Sequence, residues 1–559
     1  MTQSTTVDPD RLFGPGSTAA RAQATAALLW LPQAALLAWT IQRLSQGGGL
    51  RGVVPLAGGL LLLGVLRCAL EAWGVRRSVV DARHSLALLR QRASEALASG
   101  SPLDRARPAS GLAASVLAEQ AEAIVPWLAR FQPVRLRLVV VPTSIAVAVG
   151  ALSWAAALIL VGAAPLIPVF MALVGRRAQA ASEAQLTRQG DMNAFLLDRL
   201  RGLSTLRALG AVDHTALRLR ASAQDLHGRT MAVLRIAFLS SAVLELFAAL
   251  GVAMVAVYVG FHLLGHLHFG SWGRTLSLGE GLFILLLAPA FFEPLRELSA
   301  VWHDRAAGEA ARKALSALEG DGPRLPGRSS QAAPLADVPP GPLGVRLRGV
   351  RFAHAGESPT LDAFDVDIHP GERLALLAPS GAGKTALLSL LAGLVAPQAG
   401  QIFIGGMPLD EANAPALRRR IGWMGQRAHV FAGSLGANVS LGRPEVTAHA
   451  IDQALDFTGL AHVAADRPAQ SLGEAGAGLS GGEAVRLALA RLAVNEDAGL
   501  LLADEPTAHL DAQTAERVID ALLVLSRGRT LVLATHDPRL AARMDRVVRL
   551  HASPLREAA

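Results

Sequence analysis

Apolar residues run in long blocks through the first half of this chain and in short blocks through the second, and the two patterns predict different architectures. A helix needs about 20 mostly apolar residues to cross the hydrocarbon core of a bilayer. Ala24 to Ile41 meets that need, interrupted by Pro32 and Gln33. Val53 to Trp73 is a second block, with Arg67 and Glu71 near one end. Leu138 to Gly175 is nearly unbroken and too long for one crossing, so it predicts two helices with a tight turn near Ser153-Trp154. Ile236 to Leu264 is a fifth block and carries Glu245; Gly281 to Phe292, begun at Leu276, is the sixth and weakest.

Polar stretches separate these blocks. Arg76 to Arg137 and Arg176 to Arg235 are long and rich in arginine, whereas the short connections near Gln46–Arg51 and His266–Leu278 carry few positive charges. Positive loops stay on the cytoplasmic side, so the long stretches are expected there. Phe195, Leu196, Leu200, Leu203, Leu206 and Leu209 recur at helical steps and predict cytoplasmic extensions of the membrane helices. Gly320 to Gly344 is rich in Pro, Gly and Ser, the composition of a linker. The expected organisation is a six-helix transmembrane domain over residues 1–319, a linker over 320–344 and a second domain over 345–559.

Composition sharpens this picture at a few points. Hydrophobic residues make up 51% of the 559 residues, in line with a chain partly in lipid. The net charge of +8 does not point to nucleic acid, because the arginines fall mostly between apolar blocks and aromatics are only 4%. Cys68 is the one cysteine, which excludes an intrachain disulfide and a thiolate metal cluster. It lies in an apolar block and is expected to be buried and inert. The first twenty residues are polar, with Asp8, Asp10 and Arg11, so no cleavable signal is expected and the first block should stay as an anchor.

The second half carries chemistry. Leu374 to Leu377 reads as a short strand, Ala378-Pro379-Ser380-Gly381-Ala382-Gly383-Lys384-Thr385 as a tight loop, and Ala386 to Leu394 as a helix. That order is what a phosphate loop requires: backbone N–H groups face the phosphates and the helix N-terminus favours an anion. Lys384 should contact the β and γ phosphates of ATP, and Thr385 should ligate Mg²⁺. The chain uses arginine almost everywhere and has only two lysines, Lys313 and Lys384. A compact ammonium fits a tight cradle where a planar guanidinium does not. The strict motif begins with Gly where this chain has Ala378, a change that costs about 1 kcal/mol if φ is positive there and almost nothing if it is negative.

Leu500 to Ala503 predicts a strand ending in Asp504-Glu505, two carboxylates that alternate in direction. Asp504 is the expected Mg²⁺ holder and Glu505 the group that polarises the attacking water. His536, after the strand Leu531 to Ala534, is placed at the γ-phosphate, and Gln426 near Mg²⁺ and that water. Ser480, Gly481 and Gly482 open a helix and form a second anion site. Since one chain already has its phosphate loop, this face is expected to close over ATP held by another subunit.

Together, the loop at Ala378–Thr385, Gln426, Leu479–Glu483, Asp504-Glu505, Ala508-His509-Leu510-Asp511 and His536 resemble the nucleotide-binding domain of ABC transporters. The resemblance implies an α/β P-loop ABC-type ATPase fused to the six-helix domain, a half-transporter of the exporter type. It also places His354 where an aromatic usually stacks on adenine, with less ring surface. Phe195–Arg207, Arg229–Glu245, Ala256–Phe261 and Leu287–Arg296 are similar to the CydD family of half-transporters. That likeness implies a CydC-like partner in a heterodimer, export of cysteine or glutathione with haem as another suggested cargo, support of cytochrome bd assembly, and a bacterial plasma (inner) membrane location with the ATPase domain in the cytoplasm. It implies no nucleic-acid partner. A nucleotide-binding regulatory subunit with little hydrolysis of its own is the alternative. In the membrane, Arg67 and Glu71 are expected to pair along one helix face. Glu245 is open to either a cargo-path role or an ion pair. His262, His266 and His268 are expected as interfacial loop histidines rather than metal ligands.

Overall fold

The computed structural model of the chain describes residues 17–47, 50–167, 202–320, 322–327, 337–426, 428–466 and 479–550, with isolated positions between 169 and 200 and Leu472. Residues 176–187 of the second polar stretch, the end of the expected fourth crossing, and residues 328–336 of the expected linker lie outside the described residues.

The membrane part is helical: α1 Thr18–Leu28, α2 Trp30–Ser45, α3 Leu50–Ser99, α4 Gln132–Leu152, α5 Trp154–Ala163, α6 Val212–Leu263 and α7 Leu278–Ala317. Among the described residues five helical spans are long and apolar enough to cross a bilayer, the first formed by α1 and α2 together; α5 is apolar but shorter. The turn expected at Ser153-Trp154 is present. Ser153 is extended and caps α5 by accepting from the Ala156 N–H at 3.2 Å. Its hydroxyl also meets Tyr258 Oη at 3.0 Å and the Gly270 carbonyl at 2.8 Å, so the polar turn is satisfied inside the fold. Helix α7 starts with a capping box: the Ser277 hydroxyl accepts from the Glu280 N–H, and the Ser277 N–H donates to Glu280 Oε2 at 2.8 Å.

The helices run well beyond the apolar blocks, as in α3 and α6, because alanine and arginine continue a helix that hydropathy alone would end. Small residues allow close packing. A Cβ on Gly251 would meet the Phe292 ring at 2.4 Å, which ties α6 to α7. The apolar core of this part gathers α2, α4, α5, α6 and α7 around Phe292, Ile284 and Leu160.

Three expectations in the membrane part are corrected, at Cys68, at Arg67 with Glu71, and at His262, which lies inside α6 rather than in a loop; the open reading of Glu245 resolves to an ion pair. Cys68 is exposed on the surface of α3, not buried, because this helix turns that face away from the core. Arg67 and Glu71 do not pair; the Arg67 guanidinium instead lies 5.2 Å from the centre of the Trp30 ring. Glu245 is in an ion pair, accepting from Arg296 Nη1 at 2.9 Å and 3.1 Å, while Arg296 Nη2 holds Glu293 at 2.7 Å. His262 is buried and accepts from the Leu276 N–H at 3.2 Å. Among the described residues no three His, Cys, Asp or Glu side chains converge as a protein-held metal would need.

The other unit holds two sheets. β2 (Leu361–Ile368), β1 (Val345–Phe352), β4 (Ala399–Ile404) and β5 (Met407–Pro408) form an antiparallel sheet in that order. β6 (Ile421–Met424), β7 (Leu500–Asp504), β8 (Thr530–Thr535), β3 (Arg373–Leu377) and β9 (Arg546–Arg549) form a parallel sheet. β7 and β8 are buried at every residue, as central parallel strands covered on both faces must be. Helices α8 (Lys384–Leu391), α9 (Gly481–Ala493) and α10 (Ala512–Leu525) belong to this unit. In a parallel sheet the C-terminal strand ends share one edge, and the loops after β3, β6, β7 and β8 therefore converge.

Contacts divide the chain into Met1–Ala93 with Ser110–Leu318, and Ser94–Ala109 with Glu319–Ala559. The short Ser94–Ala109 segment joins the sheet-bearing unit through defined bonds. Leu325 N–H donates to Ser99 O and Ser101 N–H to Pro323 O, both at 2.8 Å, and the Ser101 hydroxyl donates to Leu394 O at 2.7 Å.

Candidate functional site

The loop between β3 and α8 turns on two glycines. Gly381 and Gly383 have φ of +84° and +88°, a region that an L side chain resists, and a Cβ on Gly383 would also strike Thr360 Cγ2 at 2.6 Å. Ala378 is not among the residues with positive φ. Its methyl is buried in the core, so alanine costs the loop no strain there.

Lys384 is the first residue of α8 and only 6% exposed. Its ammonium donates to the carbonyls of Ala378 at 2.7 Å and Pro379 at 3.1 Å, and lies 3.1 Å from Glu505 Oε1. The next residue, Thr385, donates its hydroxyl to Asp504 Oδ2 at 2.7 Å. Asp504 ends β7 at 1% exposure, and its Oδ1 is buried with no hydrogen-bond partner. Burial pushes its carboxyl above the usual carboxylate range; the Thr385 hydroxyl opposes the rise, Glu505 adds to it and Lys384 opposes it.

Glu505 adopts φ of +49°, rare for a residue with a Cβ, and its N–H donates to Ala534 O at 2.9 Å. The strain turns its carboxylate into the site beside Lys384, while Oε2 lies 2.7 Å from His536 Nδ1. His536 is 61% exposed and follows β8, so one edge of the sheet presents both groups.

Lys384, Thr385, Asp504 and Glu505 border a cavity of about 340 Å³. Its walls carry Ser380, Gly381, Gly383, Lys384, Thr385, Gln426, Asp504 and Glu505, together with His354 at the mouth of the antiparallel sheet. His354 packs edge-on against Phe352 at 5.3 Å between ring centres. Four further residues line the cavity: Arg105, Glu357, Thr360 and Ala386. Arg105 comes from the Ser94–Ala109 segment and forms an ion pair with Glu357. No sequence signal marks Arg105, which lies far upstream of every motif; Glu357 follows His354 by one turn, its N–H donating to His354 O at 3.0 Å.

Ser480, Gly481 and Gly482 are not among the residues lining this cavity. Ser480 caps α9 in a capping box: its hydroxyl accepts from the Glu483 N–H at 3.3 Å and its own N–H donates to Glu483 Oε2 at 2.7 Å. That backbone N–H is the main reason the Glu483 carboxyl sits below its ordinary range.

The arrangement combines a backbone cradle, one buried ammonium, a buried carboxylate with an open oxygen, and a second carboxylate held beside a histidine. It suits binding and cleavage of a nucleoside triphosphate. The orphaned Asp504 Oδ1 next to the Thr385 hydroxyl fits a hard divalent cation such as Mg²⁺, which takes one or two protein oxygens and fills its shell with phosphate and water.

Comparisons with known proteins agree with this geometry. Residues 361–508 match the family model of the ABC transporter, and residues 83–292 match that of the ABC transporter transmembrane region. The chain is 38% identical to the transport ATP-binding protein AarD of Providencia stuartii, over 77% of this chain and 73% of AarD. It is 36% identical to the glutathione/L-cysteine transport system ATP-binding/permease protein CydD of Escherichia coli (strain K12), over 85% of this chain and 81% of that protein. Its fold is similar to a solved structure of a bacterial Atm1-family ABC exporter with ATP bound, with a TM-score of 0.72, 21% identity, and coverage of 96% and 94% of the two chains.

Proposed function

This chain belongs to the ABC transporter family, as a multi-pass membrane half-exporter that binds ATP and couples its hydrolysis to transport, and on that premise we propose that it exports a small thiol, cysteine or glutathione, as one half of a heterodimer. The proposed partner is a CydC-like half-transporter. The proposed site is the bacterial plasma (inner) membrane with the ATPase domain in the cytoplasm, and the proposed physiological role is support of cytochrome bd assembly. The likeness to CydD supports the cargo and the partner. Haem is the competing cargo.

One observation carries the two-chain mechanism: the cavity around Lys384 is lined by the phosphate loop, Gln426, Asp504 and Glu505, with His536 bonded to Glu505, while Ser480, Gly481 and Gly482 are not in its lining. ATP would lie on the Ser380–Thr385 loop with its adenine against His354 and its γ-phosphate toward Lys384. The signature helix of the partner would then close the open side, and Ser480 of this chain would do the same for the partner's ATP. Thr385 and Asp504 would hold Mg²⁺, with Gln426 beside it; the ion would supply charge neutralisation to the phosphates. Lys384 must leave Glu505 Oε1 as it takes up the phosphates. Glu505 is then free to accept a proton from water, and His536 holds its other oxygen in line.

The function is tested by ATP-dependent uptake of labelled glutathione, cysteine and haem into inverted vesicles carrying the co-expressed pair. Thiol uptake is the expected result; uptake of haem alone overturns the cargo assignment. The rival reading, a regulatory subunit with little hydrolysis, drew on Ala378 and His354, and the ordinary φ of Ala378 weakens it.

A further inference from the structure

A second cavity, of about 540 Å³, lies within the membrane part, between α1–α2, α3, α4 and α7. Its volume falls within the range of small-molecule sites, about 300–1,000 Å³. Its walls carry Trp30, Arg67, Glu71, Arg137, Glu293 and Glu297. Five charged side chains on membrane helices are unusual, because ionisable groups in a bilayer interior are costly and mark pathways or partners.

The charges are not equally committed. Arg137 Nη2 holds Glu297 at 2.6 Å, and Glu293 is held by Arg296 at 2.7 Å. Among the described residues Arg67 and Glu71 make no ion pair. Arg67 lies on the Trp30 ring at 5.2 Å, and the Trp30 indole N–H is fixed to Leu286 O at 3.2 Å, so the aromatic platform is held in place. The Arg137 Nε is buried without a hydrogen-bond partner. The cavity thus presents one guanidinium and one carboxylate without ionic partners, one turn apart on the same face of α3. Arg137 borders the same cavity from α4. A ligand that satisfies both carries a cation and an anion a few ångströms apart.

We propose that this cavity is a binding site for a zwitterionic solute bearing an α-ammonium and an α-carboxylate, with Arg67 receiving the carboxylate and Glu71 the ammonium. The assignment rests on the export function proposed above and adds to it the recognition chemistry. It distinguishes an amino-acid head group, which needs both charges, from a haem-like macrocycle, which needs an apolar slot.

The test uses the co-purified pair in nanodiscs and measures direct binding of L-cysteine, L-cysteinamide and N-acetyl-L-cysteine. Wild-type protein is expected to bind cysteine at least about tenfold more tightly than either blocked form, since a charge-assisted bond contributes about 1.5–3 kcal/mol and 1.4 kcal/mol is tenfold. This comparison needs no variant and is safe from misfolding. Arg67→Gln is expected to weaken cysteine about tenfold and leave cysteinamide within about twofold. Glu71→Gln is expected to weaken cysteine similarly and leave the N-acetyl form unchanged, and Cys68→Ser, on the exposed face, should change none of the three. Equal binding of all three ligands by the wild type overturns the site, as does uniform weakening by either variant. If vesicles transport cysteine while Arg67→Gln and Glu71→Gln bind it normally, the site fails and the export function stands. If vesicles transport no thiol, both fail.

Discussion

The chain holds two clusters of charged groups, and they are built in opposite ways. In the ATPase unit, Lys384, Asp504, Glu505 and His536 come from loops on one edge of a parallel sheet and largely compensate one another through bonds of 2.7–3.1 Å. In the membrane part, Arg67, Glu71, Arg137 and Glu297 come from three helices far apart in sequence, and only the last two are paired. The first cluster is fixed by backbone geometry: each motif follows a buried strand, and the strand sets where it points. The second is fixed by helix packing: the local sequence marks Arg67 and Glu71 but not their meeting with Arg137 and Glu297. A site of the first kind suits one chemical step; a site of the second, with charges lacking partners, suits a ligand that comes and goes.

The largest expected effect removes the general base from the first cluster. Glu505→Gln should lower ATP turnover at this chain's site by about 10²- to 10⁴-fold while ATP still binds. A phosphate-release assay on a pair whose partner site is inactivated measures this, and an unchanged rate would favour the regulatory reading. In the membrane cluster, Arg137→Ala should cost about 1–3 kcal/mol by stranding Glu297. Scanning fluorimetry should show a lower Tm for that variant than for Arg137→Ala/Glu297→Gln, in which no charge is stranded. Equal losses would mean that the pair is not coupled.

Smaller effects sharpen the contrast. His354→Tyr should tighten ATP binding about 2- to 10-fold by offering a larger stacking face, as read by titration with a fluorescent nucleotide. Ala378→Gly should change nucleotide affinity by less than about twofold, because the native φ there needs no glycine. A large gain in affinity would show that alanine strains the loop.

The same contrast explains what was legible in the sequence. The nucleotide residues could be read because a phosphate loop, an acidic strand end and a capped helix each leave a local pattern, and the structure brings the first two together, with His536 bonded to Glu505. The apolar blocks located the membrane helices, though not their ends, since helices such as α3 continue through polar residues. What escaped depended on tertiary approach. Arg105 reaches the nucleotide cavity from a segment that sequence alone assigns to the membrane part. Arg67 turns to Trp30 rather than to Glu71 four residues on, because an aromatic face from a neighbouring helix competes with the local ion pair.

The central claim is that one ATP is shared between the Lys384 loop of one subunit and the Ser480-type helix start of the other. A structure of the Glu505→Gln pair with trapped ATP tests it most directly. The account predicts Ser480 Oγ within hydrogen-bond distance, about 2.6–3.2 Å, of a γ-phosphate oxygen on nucleotide held by the partner. Nucleotide fully trapped on both loops with Ser480 far from every phosphate would contradict it.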